Sequence, residues 1–171
     1  MKSADLLADA FDRVREVVHE AVEGLSADDL AARLDKGSNS VAWLVWHLTR
    51  IQDDHVADVA DREQVWTAQG WAGRFELPFA DSATGYGHRS KDVAAVRPDS
   101  PDLLLGYHDA VHEETLRFVR TLDNTALDRV VDTSWSPPVT LGVRLISVIS
   151  DDLQHAGQAA FVRGSLGRRR S

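Results

Sequence analysis

The sequence predicts an all-α protein, a four-helix bundle in which long connections join some of the helices. Four segments repeat apolar residues at the spacing of an amphipathic helix, and no convincing strand alternation lies between them. Two of the connections are much longer than the short loops of a simple up-down-up-down bundle. With 171 residues and 43% hydrophobic composition, the chain is expected to form one domain over residues 1–171 with a sizeable core.

The first two long helices are predicted from their apolar stripes and start signals. The first covers about residues 4–25. A short helical turn follows after Ser26, with acidic residues in its first turn. The second long helix begins after the turn-forming segment GSNS, with Asn39 or Ser40 as its N-cap, and reaches about Asp61.

A long connection then covers residues 66–100 and is rich in glycine and aromatic residues. Connections of this length are usually functional or disordered. Its aromatic residues favour a packed lid over a disordered linker, and a short helix over residues 90–96 is expected to interrupt it.

The last two long helices have clear start signals. Pro101 occupies the first position of the third helix, which is predicted to end near Leu122. A second connection contains a rigid pair of prolines. Thr140 then caps the fourth helix, which is predicted to run to about Val162 and to stop at Gly164.

Composition excludes several classes of function. The formal net charge of −8 and the pI near 5.3 argue against nucleic acid as a partner, because phosphate binding needs clustered positive charge. The chain has no cysteine, so a metal would be held by His, Asp or Glu, and a thiol would come from outside. No serine-hydrolase elbow or phosphate-binding glycine loop is present. Without a signal-peptide-like or membrane-spanning stretch, a soluble cytoplasmic protein is expected.

The clearest functional pattern is an acid and a histidine four residues apart, Asp151 and His155, on one face of the last helix. That face is otherwise apolar, and a carboxylate in a bundle interior is costly unless a positive charge compensates it. His47 lies inside the apolar second helix. These three residues match a metal site with three protein ligands and one open position. Zinc is the favoured metal, and nickel, iron or manganese also suit these ligands.

Other interpretations of the same residues remain open. Asp151 and His155 could form an ordinary pair on the helix surface, and His47 could be a hydrogen-bonded core residue. Asp152, three residues before His155, is a rival metal ligand. Asp54, seven residues after His47, is a candidate partner that orients the ligand histidine.

The remaining histidines show weaker patterns. His108 and His112 are another pair four residues apart. They lie beside two glutamates and are interpreted as a polar helix face, not as ligands. His19 and His88 have no partner visible in the sequence.

Three segments carry a resemblance to a known superfamily: NSVAWLVWHLTRIQDDH, GYGH and VTLGVRLISVISDDLQHAGQAAFVRG. Together they resemble the DinB-like superfamily, and most closely its actinobacterial branch of mycothiol-dependent maleylpyruvate isomerase and mycothiol S-transferases. The resemblance covers essentially the whole chain. Its most specific element is H-x-G-Q with an acid four residues before the histidine. It implies a bundle of up-down-down-up topology.

The resemblance also implies a metal site and a reaction. A divalent metal would be held by His47, Asp151 and His155. Many relatives have histidine or glutamate at the middle position, so Asp151 is a departure with a shorter reach. The metal would bind a low-molecular-weight thiol, mycothiol, and lower its pKa so that the thiolate attacks an electrophilic substrate. A transferase or an isomerase is therefore expected.

The long connection is the natural lid over such a centre. The residues expected to line the open position are mostly aromatic: Trp43, His55, Trp66, Trp71 and Tyr86. Two alternatives stay open, a non-catalytic metal-binding stress-response bundle and a purely structural dimerising bundle. A homodimer is favoured by the resemblance.

Overall fold

The computed structural model describes residues 2–170, with side chains for residues 2–168. Four long helices form a bundle, which confirms the all-α prediction: α1 (Ser3–Val22), α3 (Val41–Val59), α7 (Pro101–Val119) and α9 (Leu141–Arg170). The connections contain shorter elements: α2 (Ala27–Ala31), α4 (Val65–Ala68), α5 (Trp71–Phe75), α6 (Ser90–Ala95), α8 (Asn124–Leu127), β1 (Val130–Asp132) and β2 (Val139–Thr140).

The long helices do not pack in the order in which they follow one another along the chain. Each of α1 and α3 packs against both α7 and α9. Helices α1 and α7 run in opposite directions, because Asp12 bonds His112 while Arg15, one turn further along α1, bonds Asp109.

Helices α3 and α9 are also antiparallel, since His55 contacts Arg144 while His47 lies beside His155. Helices α1 and α9 are parallel. The beginnings of both helices share one apolar cluster, and Arg163 near the end of α9 donates to the carbonyl of Glu23 just after α1. The four directions give up-down-down-up topology, as predicted.

Helix α9 is longer than predicted, and its expected stop at Gly164 is wrong. A glycine ends a helix when it adopts a left-handed conformation, and among the described residues the glycines with positive φ all precede α9. Leu166 still packs against the core, so the apolar face continues past Gly164. Neither α9 nor another helix of residues 2–170 is long and apolar enough to cross a membrane.

The two short strands were not predicted. They pair antiparallel, with Val130 opposite Thr140. With three and two residues they are too short for a pattern of alternation to be recognised in the sequence. The pair places Trp135, which lies between the strands, next to the beginning of α9.

The interpretation of His108 and His112 as a polar helix face is wrong. His108 is fully buried among the core residues of α7, and neither of its ring nitrogens has a hydrogen-bond partner among the described side chains. His112 is also buried, and its Nε2 lies 2.9 Å from Asp12 Oδ1. Burial lowers the pKa of His108 to about 3. This histidine is therefore neutral in the fold.

We expect His108 to make the protein sensitive to mild acid. Below pH 6.5 the unfolded chain takes up a proton that the folded His108 does not, so stability falls as the pH falls. This contribution is about 1.4 kcal/mol per pH unit, or about 2 kcal/mol between pH 6.5 and pH 5. Urea unfolding of the wild type and of His108→Leu measures it. The variant should lose less stability on acidification, and equal slopes for both proteins would contradict the prediction.

Candidate metal centre and pocket

The structure brings the three predicted metal ligands together. His47 on α3 and the α9 residues Asp151 and His155 each offer one ligand atom, and these atoms lie within 4.8 Å of one another. His155 Nε2 lies 3.6 Å from Asp151 Oδ1. The antiparallel packing of α3 against α9 creates this cluster, because it sets the middle of one helix beside the middle of the other.

Each histidine of the cluster has its Nδ1 occupied by another partner. His47 Nδ1 lies 2.6 Å from the carbonyl oxygen of Thr84, which can only accept. His155 Nδ1 lies 2.9 Å from Gln158 Oε1. In both rings Nε2 is thus the nitrogen available to a metal. Burial lowers the pKa of His47, which favours the neutral imidazole that metal binding requires.

Asp151, not Asp152, belongs to the cluster. Oδ2 of Asp151 has no hydrogen-bond partner among the described residues, so the carboxylate has a free ligand atom. Asp152 is fully buried on the neighbouring face of α9. Burial and the charge of Asp151 raise the pKa of Asp152 well above its usual range, which disfavours the ionised form. The donor set of two imidazoles and one carboxylate fits a divalent metal.

The loop at residues 84–88 holds His47 from one side. Gly85 has φ +95°, and a Cβ there would lie 2.6 Å from His47 Nδ1. Only glycine allows both the backbone conformation and the close approach. On the other side, the ring of Trp43 stacks on His47 at 4.6 Å between centroids. His88, which had no partner in the sequence pattern, accepts from Trp43 Nε1 at 3.1 Å.

Arg50 fixes this loop, and the sequence analysis missed it. Its side chain is fully buried, and it donates to the carbonyl oxygens of Ala83 at 3.1 Å and Asp81 at 3.0 Å. Ala83 immediately precedes Thr84, the partner of His47, and Asp81 lies three residues before it. Arg50 thus supports the orientation of a candidate ligand without touching it. An arginine inside an apolar helix is a signal that could have identified it.

Asp53 is the acidic partner of Arg50, at 3.7 Å, and was also missed. It accepts hydrogen bonds from the backbone N–H groups of Val65 and Trp66 at 2.9 and 2.8 Å, and from the Tyr107 hydroxyl at 2.9 Å. Burial raises the pKa of Asp53 in spite of these donors. The ionised form of Asp53 is therefore stabilised by these hydrogen-bond donors. The same bonds link the long connection to α3 and α7.

A pocket of about 370 Å³ extends from the cluster along the groove between α3 and α9. This size suits a small molecule. Its walls are largely apolar and aromatic, with the residues Ile51, His55, Tyr86, Trp135, Val139, Val143, Arg144, Ser147, Val148 and Asp151. Asp151 belongs to both the cluster and the pocket, so a ligand in the pocket can reach the candidate metal position.

The sequence matches the family described as mycothiol S-transferase over residues 6–167. The chain belongs to this family. The DinB-like, mycothiol-linked resemblance is thereby confirmed. A crystal structure of a conserved protein from Enterococcus faecalis has a TM-score of 0.89 and 29% sequence identity, covering 95% of this chain and 96% of that one. No curated protein matches the sequence.

Within this mycothiol S-transferase family member, three of the residues predicted for the pocket lie near the cluster. His55 and Tyr86 line the pocket. Trp43 packs against His47 and His155 and supports the cluster without forming the pocket wall. Trp135 completes the aromatic wall and was not predicted, because only the pairing of β1 with β2 places it there.

The other predicted residues lie elsewhere. Trp66 and Trp71 are buried in the core against Tyr107, at centroid distances of 5.0 and 5.7 Å, so they do not line the pocket. Within the long connection, α4 and α5 pack against α7, whereas the segment 84–88 contacts His47 and Trp43 and contributes Tyr86 to the pocket. Asp54 accepts from Gln64 Nε2 at 2.8 Å, so the predicted partnership with His47 is not formed.

We expect Gln158→Leu to weaken metal binding by roughly 10- to 100-fold, because His155 loses the acceptor that fixes its ring. Zinc affinity measured by competition with a chromophoric chelator tests this. Gln154→Leu is the matched control, since Gln154 is exposed and, among residues 2–168, its side chain bonds to Ser150 of its own helix alone. Equal zinc affinity in the two variants would contradict a role for Gln158.

Proposed function

We propose that this chain is a metal-dependent transferase that joins a low-molecular-weight thiol, mycothiol, to a small electrophilic substrate. The observation that carries the proposal is the convergence of His47, Asp151 and His155 at a pocket, in a member of the mycothiol S-transferase family without cysteine of its own. In this proposal the reaction takes place in the cytoplasm, where low-molecular-weight thiols are kept reduced.

In this proposal His47, Asp151 and His155 hold one zinc ion. Two imidazoles and a carboxylate are a common zinc donor set with a further position open to a ligand. When bound, the metal supplies a positive charge that lowers the pKa of a thiol toward neutrality. Nickel, iron and manganese suit the same side chains, so the metal is identified by experiment.

The protein's own residues position the reactants. Thr84 and Gln158 orient the two ligand histidines. The apolar and aromatic walls of the pocket bind the body of the electrophile and exclude water from the reacting carbon. An isomerase that adds a thiol reversibly to its substrate would use the same arrangement.

Two measurements test the proposal in sequence. Elemental analysis of protein purified without chelator should find about one divalent metal per chain, lost in His47→Ala and in His155→Ala. The metal-loaded protein should then accelerate conjugation of mycothiol to a generic electrophile such as a bromobimane. Absence of metal overturns the proposal and leaves a structural bundle. Metal without thiol binding or conjugation indicates a non-catalytic metal-binding bundle.

We also propose that the chain forms a homodimer through the outward face of α9. Exposed residues recur there at alternating spacings of four and three, and none carries a charge: Ile146, Ser150, Leu153, Gly157, Ala160 and Gly164. Ile146 and Leu153 are 59% and 44% exposed. The small residues allow close approach of a second helix. Because each copy has a net charge of −8, an uncharged face is where two copies meet with least repulsion.

The homodimer is tested by sedimentation equilibrium. The wild type is expected to be dimeric, and the double variant Ile146→Lys with Leu153→Lys is expected to be monomeric but folded. Leu6→Lys is the control, because Leu6 is equally exposed, at 59%, but lies on α1. A monomeric wild type, or a double variant that stays dimeric, overturns this interface.

A further inference from the structure

Three polar side chains form a line that ends in the pocket. Asp132 in β1 accepts from Arg144 Nη2 at 2.9 Å. Arg144 Nη1 in turn lies 3.1 Å from Nδ1 of His55. Arg144 and His55 both line the pocket, and the three residues come from β1, α9 and α3. None of them belongs to the candidate metal cluster.

This chain of hydrogen bonds determines which ring nitrogen of His55 carries the proton. A guanidinium group has only donors, so Nδ1 of His55 must accept and cannot bear hydrogen. The proton of the neutral imidazole is therefore on Nε2. Burial and the charge of Arg144 lower the pKa of His55, which keeps the ring neutral. Among the described residues, no group accepts a hydrogen bond from Nε2.

We propose that His55 is a substrate-binding hydrogen-bond donor, and that its Nε2–H binds the oxygen of an α,β-unsaturated carbonyl compound. The choice of reaction rests on the proposed thiol transfer. Arg144 is a positioning residue that fixes the tautomer of His55, and Asp132 positions Arg144.

The other pocket residues favour this class of ligand. Ser147 donates to the carbonyl of Val143 in its own helix at 2.9 Å, so its hydroxyl proton is already used. The positive charge of Arg144 is paired with Asp132, so this guanidinium does not favour binding of an anionic ligand. A neutral donor of fixed tautomer in a largely apolar pocket matches an uncharged molecule with an apolar body and an acceptor oxygen.

The donor is placed to assist conjugate addition. The thiolate sulfur forms a bond to the β carbon, and the electron pair of the C=C bond moves through the conjugated system onto the carbonyl oxygen. His55 Nε2–H stabilises the negative charge that develops there, as donors of an oxyanion hole do. The α carbon then takes a proton from water, replacing the one that the thiol released. The product is a thioether, and nothing is oxidised or reduced.

The first test concerns the tautomer and needs no reaction. Long-range ¹H–¹⁵N spectra of histidine-labelled protein should show His55 as the Nε2–H tautomer in the wild type. In Arg144→Met the signals should shift toward a mixture of tautomers. An Nδ1–H tautomer in the wild type, or no change in Arg144→Met, overturns the positioning role of Arg144.

The second test compares two electrophiles with mycothiol as the thiol. For 2-cyclohexenone, whose oxygen gains charge, His55→Phe should lower kcat/KM by roughly 100-fold, and Arg144→Met should lower it in the same direction. For benzyl bromide, which has no oxygen to accept a hydrogen bond, the loss in each variant should be at least about tenfold smaller than for the enone. His19→Phe on α1, outside the pocket, is the control that should leave both activities at the wild-type level. Equal losses for the two electrophiles, or none for the enone, overturn the proposal.

The third test separates this inference from the proposed function. Binding of the unreactive ketone cyclohexanone should shift the His55 Nε2–H resonance, and His55→Phe should weaken the binding of cyclohexanone more than it weakens the binding of toluene. If the wild type transfers thiol to neither electrophile, the proposed function fails, and this binding measurement alone decides the role of His55. Unchanged cyclohexanone affinity in His55→Phe overturns the proposed role of His55.

Discussion

Replacing Asp151 with asparagine is expected to weaken zinc binding by more than roughly 100-fold. Removing a residue that only orients a ligand weakens metal binding by about 10- to 100-fold, and the loss of a ligand itself should cost more. The amide nearly preserves the shape of the side chain but removes the negative charge that attracts the metal cation. Asp151 is the carboxylate of the cluster and has a free oxygen. Chelator competition measures the zinc affinity of purified Asp151→Asn.

The neighbouring residue offers the control. Asp152→Asn makes the same chemical change one residue away, where the side chain is fully buried and lies outside the cluster. Because Asp152 offers no ligand atom to the cluster, zinc affinity should stay close to wild type. A loss of zinc in Asp152→Asn with retention in Asp151→Asn would exchange the roles of the two residues and overturn the assigned ligand set.

Replacing Asp53 with alanine is expected to destabilise the fold by about 3–5 kcal/mol, the usual cost of removing one partner of a buried ion pair. The change leaves the guanidinium of Arg50 buried without its acid. It also leaves the two N–H groups at the start of α4 and the Tyr107 hydroxyl without their acceptor. Urea unfolding of metal-free protein measures this cost without the contribution of a bound ligand.

Tyr107→Phe is the graded comparison, because it removes one donor to Asp53 and one acceptor of Arg50 Nη1 and should cost about 1–2 kcal/mol. If Asp53→Ala does not fold, Asp53→Asn provides the measurement. A further consequence concerns the site. Arg50 holds the loop that bonds His47, so the Asp53 variants that fold should also bind zinc more weakly. Stability within 1 kcal/mol of wild type in Asp53→Ala would contradict the assigned role.

The sequence predicted the long helices and the two candidate metal ligands on α9 because both depend on short-range patterns. Apolar periodicity marks α1, α3, α7 and α9, and Pro101 begins α7 as predicted. Asp151 and His155 lie on one helical face whatever the rest of the chain does, since their spacing alone sets their separation. His47 was joined to them as a third ligand from residue type and burial, and the structure brings it there.

The walls of the site depended on contacts that no local pattern encodes. Aromatic residues of the long connection were expected at the pocket, yet Trp66 and Trp71 pack on Tyr107, because burying large apolar rings in the core is favourable wherever the chain can reach it. Trp135, Arg144 and Gly85 came to the site through strand pairing, helix packing and loop closure. Their separations from His47 in sequence gave no hint of these contacts.

The sequence by itself determined the helices, the absence of a protein thiol and the pair of candidate ligands on one turn of α9, because each is a property of composition or of neighbouring residues. The tertiary structure alone decided that Asp151 and not Asp152 faces His47, that Arg50 and Asp53 fix the loop behind it, and which nitrogen of His55 carries a proton. These features depend on how helices distant in sequence rotate and pack against one another, and on which polar groups that packing leaves without water.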